Sequence, residues 1–166
     1  MTGPERNESG VYWWLLAASC AHVVEEYLWP GGFLEVAKDV APRAFEHASI
    51  PIVVGVNAAM VAGCLGGAML ARREPFLGLS MASLLHANAL LHLAASMKAR
   101  RYVPGLVTGL ALYLPLSLKA FSSYRRSKGY RPAKAMGAAL LGLAWHSVPF
   151  IAFALRSRWG RGEGKA

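Results

Sequence analysis

Long apolar segments separated by short polar ones dominate the chain. A helix needs about 20 mainly apolar residues to cross the hydrocarbon core of a bilayer, and five segments meet that requirement. They run from Val11 to Trp29, Pro51 to Ala71, Phe76 to Met97, Tyr102 to Phe121, and Ala135 to Leu155. Polar and apolar residues do not alternate within them, which excludes a transmembrane β-barrel. We therefore predict an all-α fold, a polytopic transmembrane helical bundle of about five spans.

Proline residues support these boundaries, because proline is tolerated in the first turn of a helix and disfavoured in its interior. Pro51 opens the second segment, while Pro75 and Pro132 precede the third and the fifth. The predicted domains are a polar N-terminal tail over residues 1–10, one helical bundle over residues 11–155, and a basic C-terminal tail over residues 156–166.

Composition agrees with a membrane protein. Of the 166 residues, 55% are hydrophobic and 16% charged, whereas soluble domains carry about 25% charged residues. The net charge is +9, but the basic residues form short clusters between apolar segments, which favours anionic lipid head groups as partners over nucleic acid. Lys and Arg divide equally between the two predicted sides, so the positive-inside rule does not assign an orientation.

The first predicted span carries three ionisable residues near its end, His22, Glu25 and Glu26. Ionisable groups inside a span are energetically costly and usually face a cavity or a partner. His22 precedes the glutamates by three and four residues, so all three side chains can share one broad helix face. We expect Glu26, at the i+4 position, to be the direct partner of His22 and Glu25 to contact a neighbouring helix.

The third predicted span adds His86, Asn88 and His92, and the second adds Asn57. Asn88 and His92 are four residues apart and align, whereas His86 is displaced around the helix. If successive spans alternate in direction, a rise of about 1.5 Å per residue places Asn57 and His92 at a depth similar to that of the first-span cluster. These residues are therefore predicted to approach one cavity.

Small residues recur in two other places. Ala59, Gly63 and Gly67 repeat every fourth position, which predicts close helix packing. Tyr102-Val103-Pro104-Gly105 precedes the rest of the fourth span. Glycine there permits close approach of another group, so we expect this segment to cap the cavity on the His92 side.

One hypothesis for the polar cluster is a metal centre. Imidazole and carboxylate ligands suit a divalent transition metal such as zinc, iron or manganese. A metal would neutralise the adjacent carboxylates and activate water or oxygen near the lipid, as in a hydrolase or oxidoreductase that acts on a hydrophobic small molecule. The spacing differs from the H-E-x-x-H motif of zinc proteases. The predicted ligands are His22, Glu25, Glu26, His86 and His92.

A second hypothesis needs no cofactor. A protonated glutamate at position 25 or 26 would donate a proton while His86 or the other glutamate accepts one. Asn57 and Asn88 would orient the pair. This arrangement would suit an isomerase or cyclase acting on a lipid or isoprenoid. The predicted catalytic residues are Glu25, Glu26, His86, Asn57 and Asn88.

A third hypothesis is a non-enzymatic binder or a subunit of a proton-coupled transporter. Glutamate and histidine within spans also form proton relays. The chain has 166 residues and shows no inverted repeat, so a transporter of this size would need to form a homo-oligomer.

The motifs together resemble one known family. They are His22-x-x-Glu25-Glu26, Asn57, His86-x-Asn88-x-x-x-His92 and Tyr102-Val103-Pro104-Gly105. This combination is similar to the HXXEE-domain family of small bacterial integral membrane proteins, over about residues 12–121. The resemblance implies a location in the bacterial inner or plasma membrane and strengthens the predicted site, but it implies no particular reaction.

Overall fold

Helices make up most of the part of the chain that the computed structural model describes, which is residues 9–28 and 32–159. No strand occurs within those residues. The predicted all-α helical bundle is therefore confirmed. The helices are α1 (Gly10–Leu28), α2 (Gly32–Val40), α3 (Pro42–Phe45), α4 (Ile50–Leu70), α5 (Phe76–Ala99), α6 (Leu106–Arg126, with a π-helical turn at Gly109–Tyr113) and α7 (Pro132–Trp159).

Within the described residues, four helices are long and apolar enough to cross a membrane: α4, α5, α6 and the Pro132–Phe153 part of α7. Helix α1 has 19 residues, which extend about 28 Å at 1.5 Å per residue. Its ionisable residues make it less apolar than those four helices. It nevertheless runs parallel beside α5. Tyr12 lies against Gly78 near the start of both helices, and His22 lies against His92 near their ends.

Helix α5 is central in the bundle and packs against α1, α4, α6 and α7. Gly67, late in α4, meets Gly78, early in α5, so these two helices are antiparallel. Helix α6 is also antiparallel to α5, because Gly109 near its start lies against Ala89, whereas Ser117, further along α6, contacts His86, which is earlier in α5. The alternating direction of successive long helices is the arrangement on which the predicted depth of the polar residues depends.

Glycines explain how closely the helices approach. A Cβ atom added at Gly67 would lie 2.8 Å from Gly78 Cα, and one added at Gly142 of α7 would lie 2.1 Å from the Ser80 carbonyl oxygen of α5. At Gly67 and Gly142, only backbone without a side chain fits at such distances. Gly63 differs, because an added Cβ would lie 2.5 Å from Met81 Sδ, the flexible end of a side chain that can shift.

Several predicted boundaries differ from the structure. Tyr102–Gly105 is a loop, and α6 begins at Leu106 because Gly105 has a left-handed φ of 92°. Helix α7 continues past Leu155 to Trp159, so the start of the predicted C-terminal tail is helical. Trp29, most of the N-terminal tail and the tail from residue 160 onward lie outside the described residues.

The segment between α1 and α4 contains two helices that the sequence analysis did not assign. Phe33 of α2 and Phe45 of α3 pack edge to face, with ring centroids 6.2 Å apart. Phe45 in turn contacts Phe150 and Phe153 of α7, at 5.7 Å and 6.1 Å. Through this aromatic cluster, α2 and α3 pack against α7.

Candidate metal centre

Two imidazoles and one carboxylate meet in the buried interior between α1 and α5. His22 Nε2 lies 3.5 Å from Glu26 Oε1, and His92 Nε2 lies 3.2 Å from the same oxygen. Both histidines are 0% exposed and Glu26 is 5% exposed. One ligand atom from each of the three residues lies within 4.8 Å of the others. We call His22, Glu26 and His92 the buried triad.

Helical spacing places each member of the buried triad on an inward face. On α1, Leu15, Ser19, His22 and Glu26 are all buried, and their steps of four and three residues follow one face of a helix. On α5, His92 follows the buried Ala89 by three residues. The triad therefore occupies positions that would otherwise carry packing residues.

Hydrogen bonds orient the triad from outside. His22 Nδ1 and Thr108 Oγ1 are 2.8 Å apart, and Asn57 Nδ2 donates to Glu26 Oε2 at 2.8 Å. If His22 Nδ1 carries the proton and donates to Thr108, the lone pair of Nε2 faces Glu26. Such outer hydrogen bonds fix the ring orientation and the carboxylate of metal ligands.

The imidazole nitrogens that face Glu26 lack aligned hydrogen bonds. His22 Nε2 and both nitrogens of His92 are buried and have no hydrogen-bond partner among the described residues, although the carboxylate is within ion-pair distance. A buried polar group without a partner costs about 1–3 kcal/mol. A cation between the three ligand atoms would satisfy the two Nε2 atoms at once.

The Glu25 carboxylate points toward the start of α6 and not toward the buried triad. Its carboxylate accepts hydrogen bonds from the backbone N–H groups of Val107 and Thr108, at 3.1 Å and 2.8 Å, and from the Tyr102 hydroxyl. Burial and the hydrogen bond to Glu25 raise the pKa of Tyr102 to about 12, so the phenol stays protonated and donates. Glu25 thus holds the start of α6 and is not part of the buried triad.

The loop before α6 covers the two imidazoles. A Cβ atom added at Gly105 would lie 2.5 Å from His92 Cε1 and 2.7 Å from His22 Cε1. Gly105, Val103 and Pro104 are all buried. Glycine is required here both for the left-handed backbone and for the close approach to the rings.

Aromatic rings complete the surroundings of the triad. Tyr113, in the π-helical turn of α6, lies 4.5 Å from His22 between ring centroids, and Phe33 lies 4.6 Å from His92. π-Helical turns are rare and often occur at functional sites. The sequence contained no signal for the Phe33 contact, because α2 is distant from His92 along the chain.

The remaining predicted residues lie at different distances from the triad. His86 Nδ1 is 2.8 Å from Ser117 Oγ of α6, and His86 is not among the triad ligands. Asn88 lies one turn before His92 and lines a cavity together with Glu26 and Asn57. The structure therefore brings together His22, Glu26, Asn57 and His92, with Asn88 on the adjoining cavity, and leaves Glu25 and His86 engaged by α6.

That cavity has a volume of about 390 Å³ and lies between α4, α5 and α7. Its walls are mainly aliphatic and aromatic, and its polar residues are Glu26, Asn57, Asn88 and His146. Cavities of about 300–1,000 Å³ with apolar walls and a few polar groups are typical of small-molecule sites. The carboxylate of the buried triad therefore borders a space large enough for a ligand.

Comparison with known proteins agrees with the motif on α1. No curated protein and no solved structure matches the chain. One family model matches residues 13–120, and its description is a protein of unknown function with an HXXEE motif. The match contains His22, Glu25 and Glu26 at the motif positions, as well as Asn57, His92 and the Tyr102–Gly105 loop. The chain therefore belongs to the HXXEE family.

Proposed function

We propose that the protein is a membrane-embedded enzyme of the bacterial inner or plasma membrane, which uses a divalent transition metal to act on a hydrophobic small molecule. The metal ligands are the buried triad of His22, Glu26 and His92. Zinc, iron and manganese all accept this combination of imidazole and carboxylate. Glu25 and His86, which the sequence analysis included among the ligands, are left out because α6 engages them.

The spacing of the ligand atoms carries this proposal. Ligands bound at about 2.0–2.1 Å around a tetrahedral ion are separated from one another by about 3.3 Å. The distances from Glu26 Oε1 to the two Nε2 atoms are 3.5 Å and 3.2 Å. The same pairs lack hydrogen-bond alignment, which favours an intervening cation over direct hydrogen bonds.

The number of ligands supports catalysis over a purely structural role. Structural zinc sites usually have four protein ligands, whereas catalytic sites have three and keep a position open. A bound metal would act there as a Lewis acid and activate water or oxygen. Asn57 would hold the Glu26 carboxylate, Thr108 would hold the His22 ring, and Gly105 would exclude water from the imidazoles.

A metal-free reaction is the second candidate, because His92 Nε2 and Glu26 Oε1 lie within ion-pair distance, at 3.2 Å. A proton shared between this imidazole and carboxylate could be moved to and from a double bond, as in an isomerase or cyclase. The residues are the same as in the metal proposal. Only metal content separates the two reactions.

The test is metal analysis of the protein purified in detergent through a tag that contains no histidine. We expect about one equivalent of a transition metal in the wild type and less than about a tenth in His22→Ala and Glu26→Gln, since too few ligands remain to offset dehydration of the cation. His86→Ala is the matched control, because it removes an α5 imidazole that lies outside the triad, and it should retain the metal.

Two results would contradict the metal proposal. Active wild-type protein with less than about a tenth of an equivalent of any transition metal, and a rate unchanged by chelators, would leave proton transfer as the reaction. Metal that is fully retained in both His22→Ala and Glu26→Gln would show that the ion is held elsewhere.

A further inference from the structure

Exposed side chains of α4 and α7 line the cavity beside Glu26, which indicates that its open side lies between these helices. Ile52 and Val56 of α4 and Val148 of α7 line it, and each is at least 37% exposed. These helices are long and apolar enough to lie in a bilayer, where exposed aliphatic side chains contact acyl chains. A molecule dissolved in the membrane can therefore enter sideways without crossing water.

The interior of the cavity contains two polar atoms that the fold leaves unused. Asn88 Oδ1 and His146 Nε2 are buried and have no hydrogen-bond partner among the described residues. Both side chains line the cavity. Because an unpaired buried polar atom is costly, these atoms are well placed to bind a polar group of a ligand.

The charge at the cavity wall restricts which polar group fits. Glu26 is the only acidic residue among the described lining residues, and no Lys or Arg is among them. A carboxylate or phosphate would therefore find no cationic side chain to pair with among these residues and would offer no proton to Asn88 Oδ1. A hydroxyl group can donate to Asn88 and can also donate to or accept from His146, according to the tautomer of the imidazole.

We infer that this cavity binds a neutral long-chain alcohol from the bilayer, with its hydroxyl group bonded to both Asn88 and His146 and its chain leaving between α4 and α7. The inference deepens the proposed function, on which it rests, by naming the class of substrate. His146 and Trp145 belong to α7, outside residues 13–120 of the family match. The C-terminal helix therefore contributes cavity-lining residues that help select the ligand and that lie outside the matched family region.

Tryptophan quenching tests this inference on the full-length protein in lipid nanodiscs. Trp145 lines the cavity, so a long-chain alcohol brominated on its chain should quench its fluorescence in a saturable way. The binding signal is the part of the fluorescence quenching that is lost in the Trp145→Phe variant. A brominated alkane and a brominated fatty acid of the same length are the comparison ligands.

We expect half-saturation at a lower concentration for the alcohol than for either comparison ligand. Asn88→Leu and His146→Phe should each raise the half-saturation concentration for the alcohol by about tenfold, the effect of losing one buried hydrogen bond. Ser147→Ala is the matched control on α7, since its hydroxyl donates to the Leu143 carbonyl and Ser147 is not among the described residues that line the cavity; it should bind as the wild type does.

Equal affinity for alcohol and alkane, tighter binding of the fatty acid, or quenching of which no part is lost in Trp145→Phe would each overturn the inference. Failure of the metal proposal is recognised separately. His22 does not line the cavity, so His22→Ala should lose metal yet bind the alcohol with unchanged affinity. A wild type that binds alcohol but no metal would refute only the metal centre.

Discussion

Replacing Gly105 with alanine should disable the buried triad while leaving the bundle folded. Gly105 has a φ of 92°, and an L-residue held in a left-handed conformation costs about 1–2 kcal/mol. The larger effect is local, because the new methyl group would lie 2.5 Å from His92 Cε1 and 2.7 Å from His22 Cε1.

The displacement follows from these distances. Ordinary van der Waals contact begins near 3.4 Å, so the His92 ring must retreat by about 0.9 Å, since carbon atoms repel steeply inside their contact distance. Metal–ligand distances tolerate deviations of only about 0.2 Å. The ring therefore cannot remain a ligand unless the loop moves away by a similar distance.

The assay compares bound metal and thermal stability in Gly105→Ala and Gly129→Ala. An added Cβ at Gly129 meets nothing within 4 Å, which makes it the matched control. We expect Gly105→Ala to lose most of its metal and to unfold with a free energy lowered by about 1–2 kcal/mol, while Gly129→Ala matches the wild type. Full metal occupancy in Gly105→Ala, or unfolding severe enough to explain the metal loss, would refute the reasoning.

Three further predictions concern the surrounding structure. Gly142→Leu should separate α7 from α5 and lower the melting temperature in detergent far more than Gly129→Leu does; equal melting temperatures would contradict the packing account. Glu25→Ala should destabilise the protein by about 1–3 kcal/mol but retain metal, and metal loss at unchanged stability would make Glu25 a ligand. The Lys134 ammonium lowers the pKa of Glu74, so the small stabilisation from this ion pair is present above pH 4.5 and disappears as pH falls through the lower pKa of the folded protein. Lys134→Met should therefore make the free energy of unfolding depend less on pH between neutral and acidic solution. An unchanged pH dependence in this variant would contradict the prediction.

The number and approximate positions of the long helices could be predicted from sequence, because a span is a local property of about 20 consecutive residues. The same was true of the pairing of His22 with Glu26, since residues four apart share a helix face. The short helices α2 and α3 were missed. Neither is long enough to show a span, and both are stabilised mainly by contacts with distant residues such as Phe153.

Helical spacing alone did not determine which of the two adjacent glutamates would face His92 of α5. Successive side chains point about 100° apart around a helix. The groups that each of the two side chains meets belong to other segments of the chain. Glu26 faces His92 of α5, whereas Glu25 meets the amide groups that begin α6. His86 was grouped with His92 because both lie on α5, but the packing of α6 turns it toward Ser117.

The cavity was decided entirely by tertiary structure. Its apolar walls come from α4, α5 and α7 together with Phe33 and Phe45, and the apolar wall residues of the three long helices are, taken singly, ordinary residues of a span. Sequence periodicity determines which residues share one face of one helix. Which faces oppose one another depends on how closely the helices pack, and here the contacts at Gly67 and Gly142 set that distance, while Gly105 lets the loop before α6 lie against the two imidazoles.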